Sequence, residues 1–184
     1  MTMIGSILLN EIFNSNTAIK PSEILDRLNY LLLVSFQKEG KTAIKDGMDI
    51  SFLSVEHNPT GNEHKLHWAG ANNSMYVLKQ NGKEILEVKA DKQPIGYSEK
   101  VKPFTNHTIS VTKCDTVILF SDGLPDQFGG PKGKKFMYRR FEETLLANSG
   151  FTMQGQGENL EKVFRDWKGS LEQVDDVTVI GVRI

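Results

Sequence analysis

The chain has 184 residues and a formal net charge of −1 at pH 7; 39% of its residues are hydrophobic and 24% are charged. This length and composition are typical of one soluble globular domain, and the near-neutral charge gives no support for nucleic-acid or membrane binding. Cys114 is the single cysteine, which excludes an intrachain disulfide, and no apolar run approaches the roughly 20 residues of a membrane span. We therefore expect a cytoplasmic protein.

The N-terminal part of the chain has helical periodicity. Apolar residues recur at helical spacing from Ile4 to Ile12, which predicts an amphipathic helix at the start of the chain. Pro21 can occupy the first turn of a helix, and the leucine-rich segment after it predicts a second helix that ends near Gln37.

From Met48 onwards the apolar pattern changes to that of strands. Asn81-Gly82, between two short apolar runs, predicts a tight turn and therefore a hairpin. The predicted strands cover residues 48–55, 65–68, 75–79, 85–86, 108–111 and 116–120.

The C-terminal part returns to helices and then ends in a strand. We predict helices over 136–148 and 158–167, a final strand over 176–184, and the clearest loop over 129–135. Helices, then antiparallel strands, then helices and a strand indicate an α+β fold rather than the alternation of a parallel sheet.

Acidic residues stand where two apolar runs begin or end. The run that closes at Phe120 is followed by Asp122, with Asp126 four residues further on, and the pair Asp175-Asp176 comes directly before the last apolar run. Carboxylates fixed at strand ends are suitable ligands for Mg²⁺ or Mn²⁺, which prefer oxygen. This pairing predicts a metal-dependent hydrolase.

Several of these motifs together resemble a known family. Ser121-Asp122-Gly123 and the stretches 126–130 and 173–178 resemble the SpoIIE-type branch of the metal-dependent serine/threonine phosphatases, the protein phosphatase 2C superfamily. The stretches 46–50, 69–73 and 93–97 are similar to further parts of that family. The resemblance covers nearly the whole chain in order.

The resemblance implies a fold, a cofactor and an activity. The fold would be a single domain over 1–184, in which two packed antiparallel sheets are flanked by helices. Two Mn²⁺ or Mg²⁺ ions would lie between the sheets, and metal-activated water would hydrolyse a phosphoserine or phosphothreonine. The implied substrate is a phosphorylated regulatory protein of the anti-sigma-factor-antagonist type in bacterial signalling.

The resemblance also implies site residues, position by position. Asp122 and Asp175 match catalytic metal ligands, and Gly123 belongs to the same metal motif. Asp126 matches a position that can contact an additional, loosely held metal, and Asp176 neighbours a ligand position.

Three lysines lie in the glycine-rich loop between these acidic motifs. Lys132, Lys134 and Lys135 are predicted to form a flap that meets an anionic phosphoprotein, although such a cluster is also typical of a solvated loop.

One part of the family pattern is missing from this sequence. The family supplies further ligands from an upstream Asp motif followed by Gly-His-Gly, and no Gly-His-Gly occurs here. We therefore expect a domain that lacks its first strands and first Asp motif, and whose open sheet edge promotes self-association as a homodimer.

The missing motif leaves an alternative open. The chain could be a catalytically incomplete pseudophosphatase that acts as a protein-binding regulatory module. A dehalogenase-type phosphatase is disfavoured because Phe120, not an aspartate, stands two residues before Asp122.

Overall fold

The computed structural model of the protein describes residues 2–15, 20–37, 47–80 and 83–184. The chain divides into two compact units: Met1–Ser74 with Lys89–Val111, and Met75–Val88 with Thr112–Ile184. The helices are α1 (Thr2–Ser15), α2 (Pro21–Gln37), α3 (Gly123–Asp126), α4 (Tyr138–Ala147) and α5 (Met153–Lys168). The strands are β1 (Gly47–Met48), β2 (Ile50–Glu56), β3 (Glu63–Ala71), β4 (Met75–Leu78), β5 (Ile85–Val88), β6 (Ile95–Gly96), β7 (His107–Thr112), β8 (Thr116–Phe120), β9 (Phe128–Gly129), β10 (Lys134–Lys135) and β11 (Val179–Arg183).

The first unit places two helices on small antiparallel sheets. Helices α1 and α2 confirm the two predicted N-terminal helices, and their apolar faces are buried together with strand residues. The strands form a three-stranded sheet in the order β2-β3-β7 and a two-stranded sheet of β1 and β6. The core of this unit consists of Leu8, Ile12, Ile24, Leu25, Leu28, Leu32, Ala69, Ala71, Ile95 and Phe104.

Strand β3 is longer than the four residues predicted for it. Its side chains at His64, Leu66 and Trp68 are buried in alternation, and the small residues up to Ala71 are all buried. The buried indole of Trp68 donates a hydrogen bond to Ser51 Oγ at 2.7 Å, which ties β3 to its neighbour β2. The apolar pattern did not predict the ends of this strand, because polar residues stand at its start and the small residues Ala69, Gly70 and Ala71 stand at its end.

The second unit is built on a four-stranded antiparallel sheet in the order β11-β8-β4-β5. Strand β8 is central, so Val117 stands opposite Val77 on one side and Val182 on the other. Residues on both faces of β8 are buried, and a strand buried on both faces has a continuous apolar run in its sequence, as β8 does. Helices α4 and α5 cover this sheet through a core made of Tyr76, Ile118, Phe120, Leu124, Phe136, Phe141, Leu145, Leu160 and Phe164.

The fold class is confirmed: the protein is α+β, with antiparallel sheets flanked by helices. Strands β4 and β5 pair as predicted, with Leu78 opposite Ile85, while the turn assigned to Asn81-Gly82 lies outside the described residues. None of the described helices is both long and apolar enough to cross a bilayer.

Further differences from the sequence prediction occur at helix α5, at strand β11 and in the glycine-rich loop. Helix α5 begins at Met153, five residues early, because Thr152 caps it by accepting a hydrogen bond from the Gly155 N–H, and glycines in its first turns weaken the helical signal. Strand β11 begins at Val179, three residues late. The predicted loop over 129–135 contains the end of a short hairpin, in which β9 pairs with β10.

A buried carboxylate stabilises the turn between β7 and β8. The Asp115 side chain is 1% exposed and accepts hydrogen bonds from the Gln80 N–H (2.8 Å), the Thr112 N–H (3.0 Å) and the Lys79 ammonium (3.1 Å). Burial alone would raise the pKa of this carboxyl, but the three donors outweigh burial and lower the pKa below its ordinary value.

We expect Asp115→Asn to lower the free energy of unfolding at pH 7 by about 1.5–3 kcal/mol, because it removes charge-assisted hydrogen bonds in a buried site. A carboxyl whose pKa is lower in the folded state stabilises the fold above its unfolded pKa and loses that contribution as pH falls through the folded value. Urea unfolding between pH 7 and pH 3 should therefore show an acid-dependent loss in the native protein that is smaller in Asp115→Asn.

The matched control is Asp166→Asn, which removes an exposed carboxylate paired with Lys162 one helical turn away. Its effect should stay within about 0.5 kcal/mol. Equal effects of the two substitutions would contradict a stabilising role for the Asp115 site.

Candidate metal-binding site

The first predicted acidic motif lies at the turn where the central strand β8 ends. The residues from Gly123 to Pro125 form most of the short helix α3 and are buried, whereas Asp122 and Asp126 at its two ends are partly exposed. The Asp126 N–H donates to the Asp122 carbonyl oxygen at 2.9 Å, which closes the turn. The buried apolar residues thus anchor a turn with one carboxylate at each end.

Gly123 brings this turn into contact with the second acidic motif. A Cβ atom built on Gly123 would lie 2.4 Å from the Asp176 carbonyl oxygen and 3.4 Å from the Asp175 carbonyl carbon. Only a residue without a side chain permits this approach. The two motifs, 53 positions apart in the sequence, are therefore neighbours in the fold.

Ser121 fixes the second motif from the strand side. Its N–H donates to the Thr178 carbonyl oxygen (3.0 Å), its hydroxyl donates to the Asp176 carbonyl oxygen (2.9 Å), and the Thr178 N–H donates back to Ser121 Oγ (3.0 Å). These bonds extend the contact between β8 and the final strand beyond the regular ladder. Because the Ser121 hydroxyl, and not a main-chain group, bonds to the Asp176 carbonyl and the Thr178 N–H, the regular ladder of β11 begins only at Val179.

The carboxylates of the second motif remain on the surface. Asp175 and Asp176 are both exposed, and Asp175 Oδ1 accepts a hydrogen bond from the Asp176 N–H at 2.7 Å. The Gln173 side-chain amide donates to the Asp175 carbonyl oxygen at 2.8 Å. Local hydrogen bonds therefore order this segment while leaving it accessible to a ligand.

The lysine flap contacts the site through one of its three predicted members. Lys135 Nζ lies 2.9 Å from Asp126 Oδ2, and both side chains are partly exposed. The same ammonium stands 6.0 Å from the centre of the Phe128 ring, its partner across the β9–β10 hairpin. Lys132 and Lys134 are exposed and make no ion pair with any residue in the described ranges.

The donors fit a hard cation in chemistry but are few in number. The two motifs supply carboxylate and carbonyl oxygens, the ligands that Mg²⁺ and Mn²⁺ prefer. Across residues 2–15, 20–37, 47–80 and 83–184, no group of three or more His, Cys, Asp or Glu side chains is placed to hold a metal ion. These residues thus fit part of a divalent-cation site.

Tyr138 is a neighbour of the site that sequence reasoning missed. Burial raises the pKa of its hydroxyl, and the negative charges of Asp122, Asp126 and Glu87 raise it further, so Tyr138 stays protonated at neutral pH. Its ring lies 6.3 Å from that of Phe120. The sequence alone gives no reason to expect that a tyrosine in this predicted helix lies near the acidic turn.

The residue before Tyr138 has an unusual backbone conformation. Met137 has φ 72° and ψ 148°, a region that residues with a side chain rarely adopt, and its side chain is exposed. Its N–H donates to the Pro125 carbonyl oxygen at 2.7 Å, so the conformation connects helix α4 to the acidic turn.

Comparison with solved structures defines the fold. The SiaA-PP2C domain of Pseudomonas aeruginosa matches with a TM-score of 0.84 at 23% identity, over 100% of this chain and 68% of that one. A structure with the phosphatase domain and part of the regulatory domain of SpoIIE from Bacillus subtilis matches with a TM-score of 0.65 at 21% identity, over 98% of this chain and 48% of that one. RsbX in complex with magnesium gives 0.58 at 15% identity, covering 96% and 71%. The fold is that of a PP2C-type phosphatase domain.

The sequence then identifies the family within this class. The family described as Stage II sporulation protein E (SpoIIE) matches residues 1–184, and the chain belongs to it. No curated protein matches the chain by sequence.

The contact at Gly123 can be tested by substitution. We expect Gly123→Ala to lower the free energy of unfolding by about 1–3 kcal/mol, because the added methyl group overlaps the Asp176 carbonyl and forces the two acidic motifs apart. Urea unfolding followed by circular dichroism measures the change.

Gly157→Ala is the matched control. It lies inside helix α5 with open space where its Cβ would be, so it should leave stability unchanged or raise it by about 0.5–1 kcal/mol. If both variants behave alike, the Gly123 contact does not hold the motifs together.

Proposed function

We propose that this chain is a single phosphatase domain, or a large part of one, that hydrolyses phosphoserine or phosphothreonine in a protein with the aid of Mn²⁺ or Mg²⁺. The observation that supports this proposal most directly is the close packing of Gly123 against the Asp175-Asp176 peptide. It brings together the two acidic motifs that the family resemblance assigns to the metal.

In this proposal Asp122 and Asp175 are the catalytic metal ligands. Gly123, Asp126 and Asp176 provide further oxygen atoms around the same centre. A bound divalent cation lowers the pKa of water and neutralises phosphate charge. The chain's part is to hold the two acidic motifs against each other at Gly123, so that oxygen atoms of both can face one cation.

The lysines of the flap would bind the phosphoprotein. Lys132 and Lys134 attract an anionic substrate from the surface of the hairpin, while Lys135 already neutralises Asp126 beside the site. We infer a phosphorylated regulatory protein of the anti-sigma-factor-antagonist type as the substrate and the bacterial cytoplasm as the location. The proposal includes no nucleic-acid or membrane partner.

The catalytic proposal predicts Mn²⁺-dependent hydrolysis of p-nitrophenyl phosphate. Asp122→Ala and Asp175→Ala should each reduce hydrolysis to the rate of the buffer, since each removes a ligand from a sparse donor set. Asp166→Ala, which removes an exposed carboxylate of helix α5, should keep the native rate.

A second candidate function is a protein-binding pseudophosphatase. It is favoured by the absence, within the described residues, of a group of three or more metal-ligating side chains. Calorimetry with Mn²⁺ and the hydrolysis assay together distinguish the two functions. A native chain that binds no Mn²⁺ at millimolar concentration and does not hydrolyse p-nitrophenyl phosphate favours the binding module and contradicts the catalytic proposal.

We also propose self-association through β11. Among the described strands it pairs only with β8, and Ile180 and Val182 are 51% and 45% exposed. An antiparallel pair of two β11 strands centred on Gly181 would put Ile180 of one copy beside Val182 of the other.

Light scattering over a range of protein concentrations should show a dimer that Ile180→Lys disrupts, because a lysine on a strand edge opposes pairing. Leu171→Lys, at an exposed apolar position outside the strands, is the control and should leave the dimer intact. A native chain that remains monomeric throughout, or an Ile180→Lys dimer as stable as the native one, would argue against this interface.

A further inference from the structure

Gln127 is a buried polar residue that follows the acidic turn directly. Its side chain is 0% exposed, and the amide nitrogen donates to the carbonyl oxygens of Phe128 (3.0 Å) and Glu172 (2.9 Å). The amide oxygen accepts a hydrogen bond from the Val174 N–H at 3.3 Å. One side chain thus binds the segment that leads into Asp175 by two separate bonds.

The main chain of Gln127 is fixed as firmly as its side chain. Its carbonyl oxygen accepts hydrogen bonds from the Trp167 indole (3.1 Å) and from the Phe136 N–H (2.8 Å). The Trp167 ring packs edge-on against Phe136 and lies 4.1 Å beneath the Arg140 guanidinium. Because these contacts fix the main chain of Gln127, its side-chain amide has little freedom to move away from the 172–174 segment.

Together with Ser121, Gln127 encloses the second acidic motif. Gln127 binds residues 172 and 174 on its N-terminal side, and Ser121 binds residues 176 and 178 on its C-terminal side. Both side chains belong to the segment that carries Asp122. The hydrogen bonds of two neutral side chains, Ser121 and Gln127, therefore hold the Asp175 segment in place relative to Asp122.

We propose that Gln127 is a positioning residue for the cation centre, and that its amide fixes the Asp175 segment against the Asp122 turn. The inference rests on the proposed function, because it assumes that these two aspartates share a cation. Groups that orient metal ligands without touching the metal commonly change metal affinity by roughly tenfold to a hundredfold when they are removed.

A role in packing alone is the competing explanation. A buried glutamine that only satisfies loop carbonyl groups would affect stability, whereas a positioning residue also affects cation affinity. The two are separated by comparing Gln127→Met, which keeps the volume of the side chain but loses its amide, with Asp115→Asn. Asp115 is an equally buried polar residue, at the opposite end of β8 from Asp122.

Two measurements on the full chain test the proposal. The first is Mn²⁺ titration followed by electron paramagnetic resonance of the free ion, at a temperature where every variant is folded. The second is hydrogen exchange over residues 172–178 without metal. We expect Gln127→Met to raise the Mn²⁺ dissociation constant about tenfold and to speed exchange in this segment about tenfold, while Asp115→Asn changes neither.

A second variant guards against loss of the fold. Gln127→Asn keeps the amide but shortens its reach by one methylene group, so it should shift both readouts in the same direction by a smaller amount. Native affinity in both Gln127 variants would overturn the proposal, as would an equal loss of affinity in Asp115→Asn.

The failure of the proposed function has a different signature. In that case the native chain itself binds no Mn²⁺, and no cation centre exists for Gln127 to position. If exchange over residues 172–178 still rises in Gln127→Met, Gln127 is left with the packing role alone.

Discussion

The contact between the turn after β8 and the segment before β11 is the constraint on which the rest of the second unit depends. Gly123 packs against the Asp176 carbonyl group, and Ser121 donates a hydrogen bond to that carbonyl and exchanges hydrogen bonds with Thr178. These bonds continue the pairing of β8 with β11, in which Val179 stands opposite Phe120. The two acidic motifs thus lie directly beyond the end of the β8–β11 pair. The register of that pair determines which residues of the two motifs are opposite each other.

The segment that follows the acidic turn packs against an aromatic residue of helix α5 through two glycines. Gly129 and Gly130 pack directly against Trp167, and the Gly130 N–H donates to the Trp167 carbonyl oxygen at 2.7 Å. Any larger residue at Gly129 would overlap that carbonyl, since its Cβ would lie 1.9 Å from the oxygen. The lysine hairpin is therefore attached to the end of helix α5 by close backbone packing, and the position of its lysines follows from that attachment.

Much of this arrangement could be predicted from local sequence pattern. The apolar run of β8 and the acidic residues after it identified both the strand and the turn, because β8 is buried on both faces and no polar face interrupts the pattern. The start of helix α5 escaped prediction because Gly155 and Gly157 weaken its periodicity, although Thr152 provides an N-cap signal.

The contacts that complete the site could not be predicted in the same way. Gln127 is an ordinary polar residue in the sequence, and its hydrogen bonds reach residues 45 and 47 positions away. The pairing of Lys135 with Asp126 depends on the two-residue strands of a hairpin that the sequence indicated only as a loop. Such contacts depend on tertiary register, which no local pattern encodes.

Neutral groups hold the acidic motifs together, and this has a thermodynamic consequence. A glycine, a serine hydroxyl and a glutamine amide bring the motifs of Asp122 and Asp175 together through contacts that carry no formal charge of their own. Under the proposed function, a cation that binds both motifs binds the folded chain and not the unfolded one, so its binding stabilises the fold. By mass action, a cation at one hundred times its dissociation constant adds about 2.7 kcal/mol to the stability of the fold. Under the proposed function, the supply of divalent metal in the cell would therefore govern how much folded protein persists, as well as how fast it works.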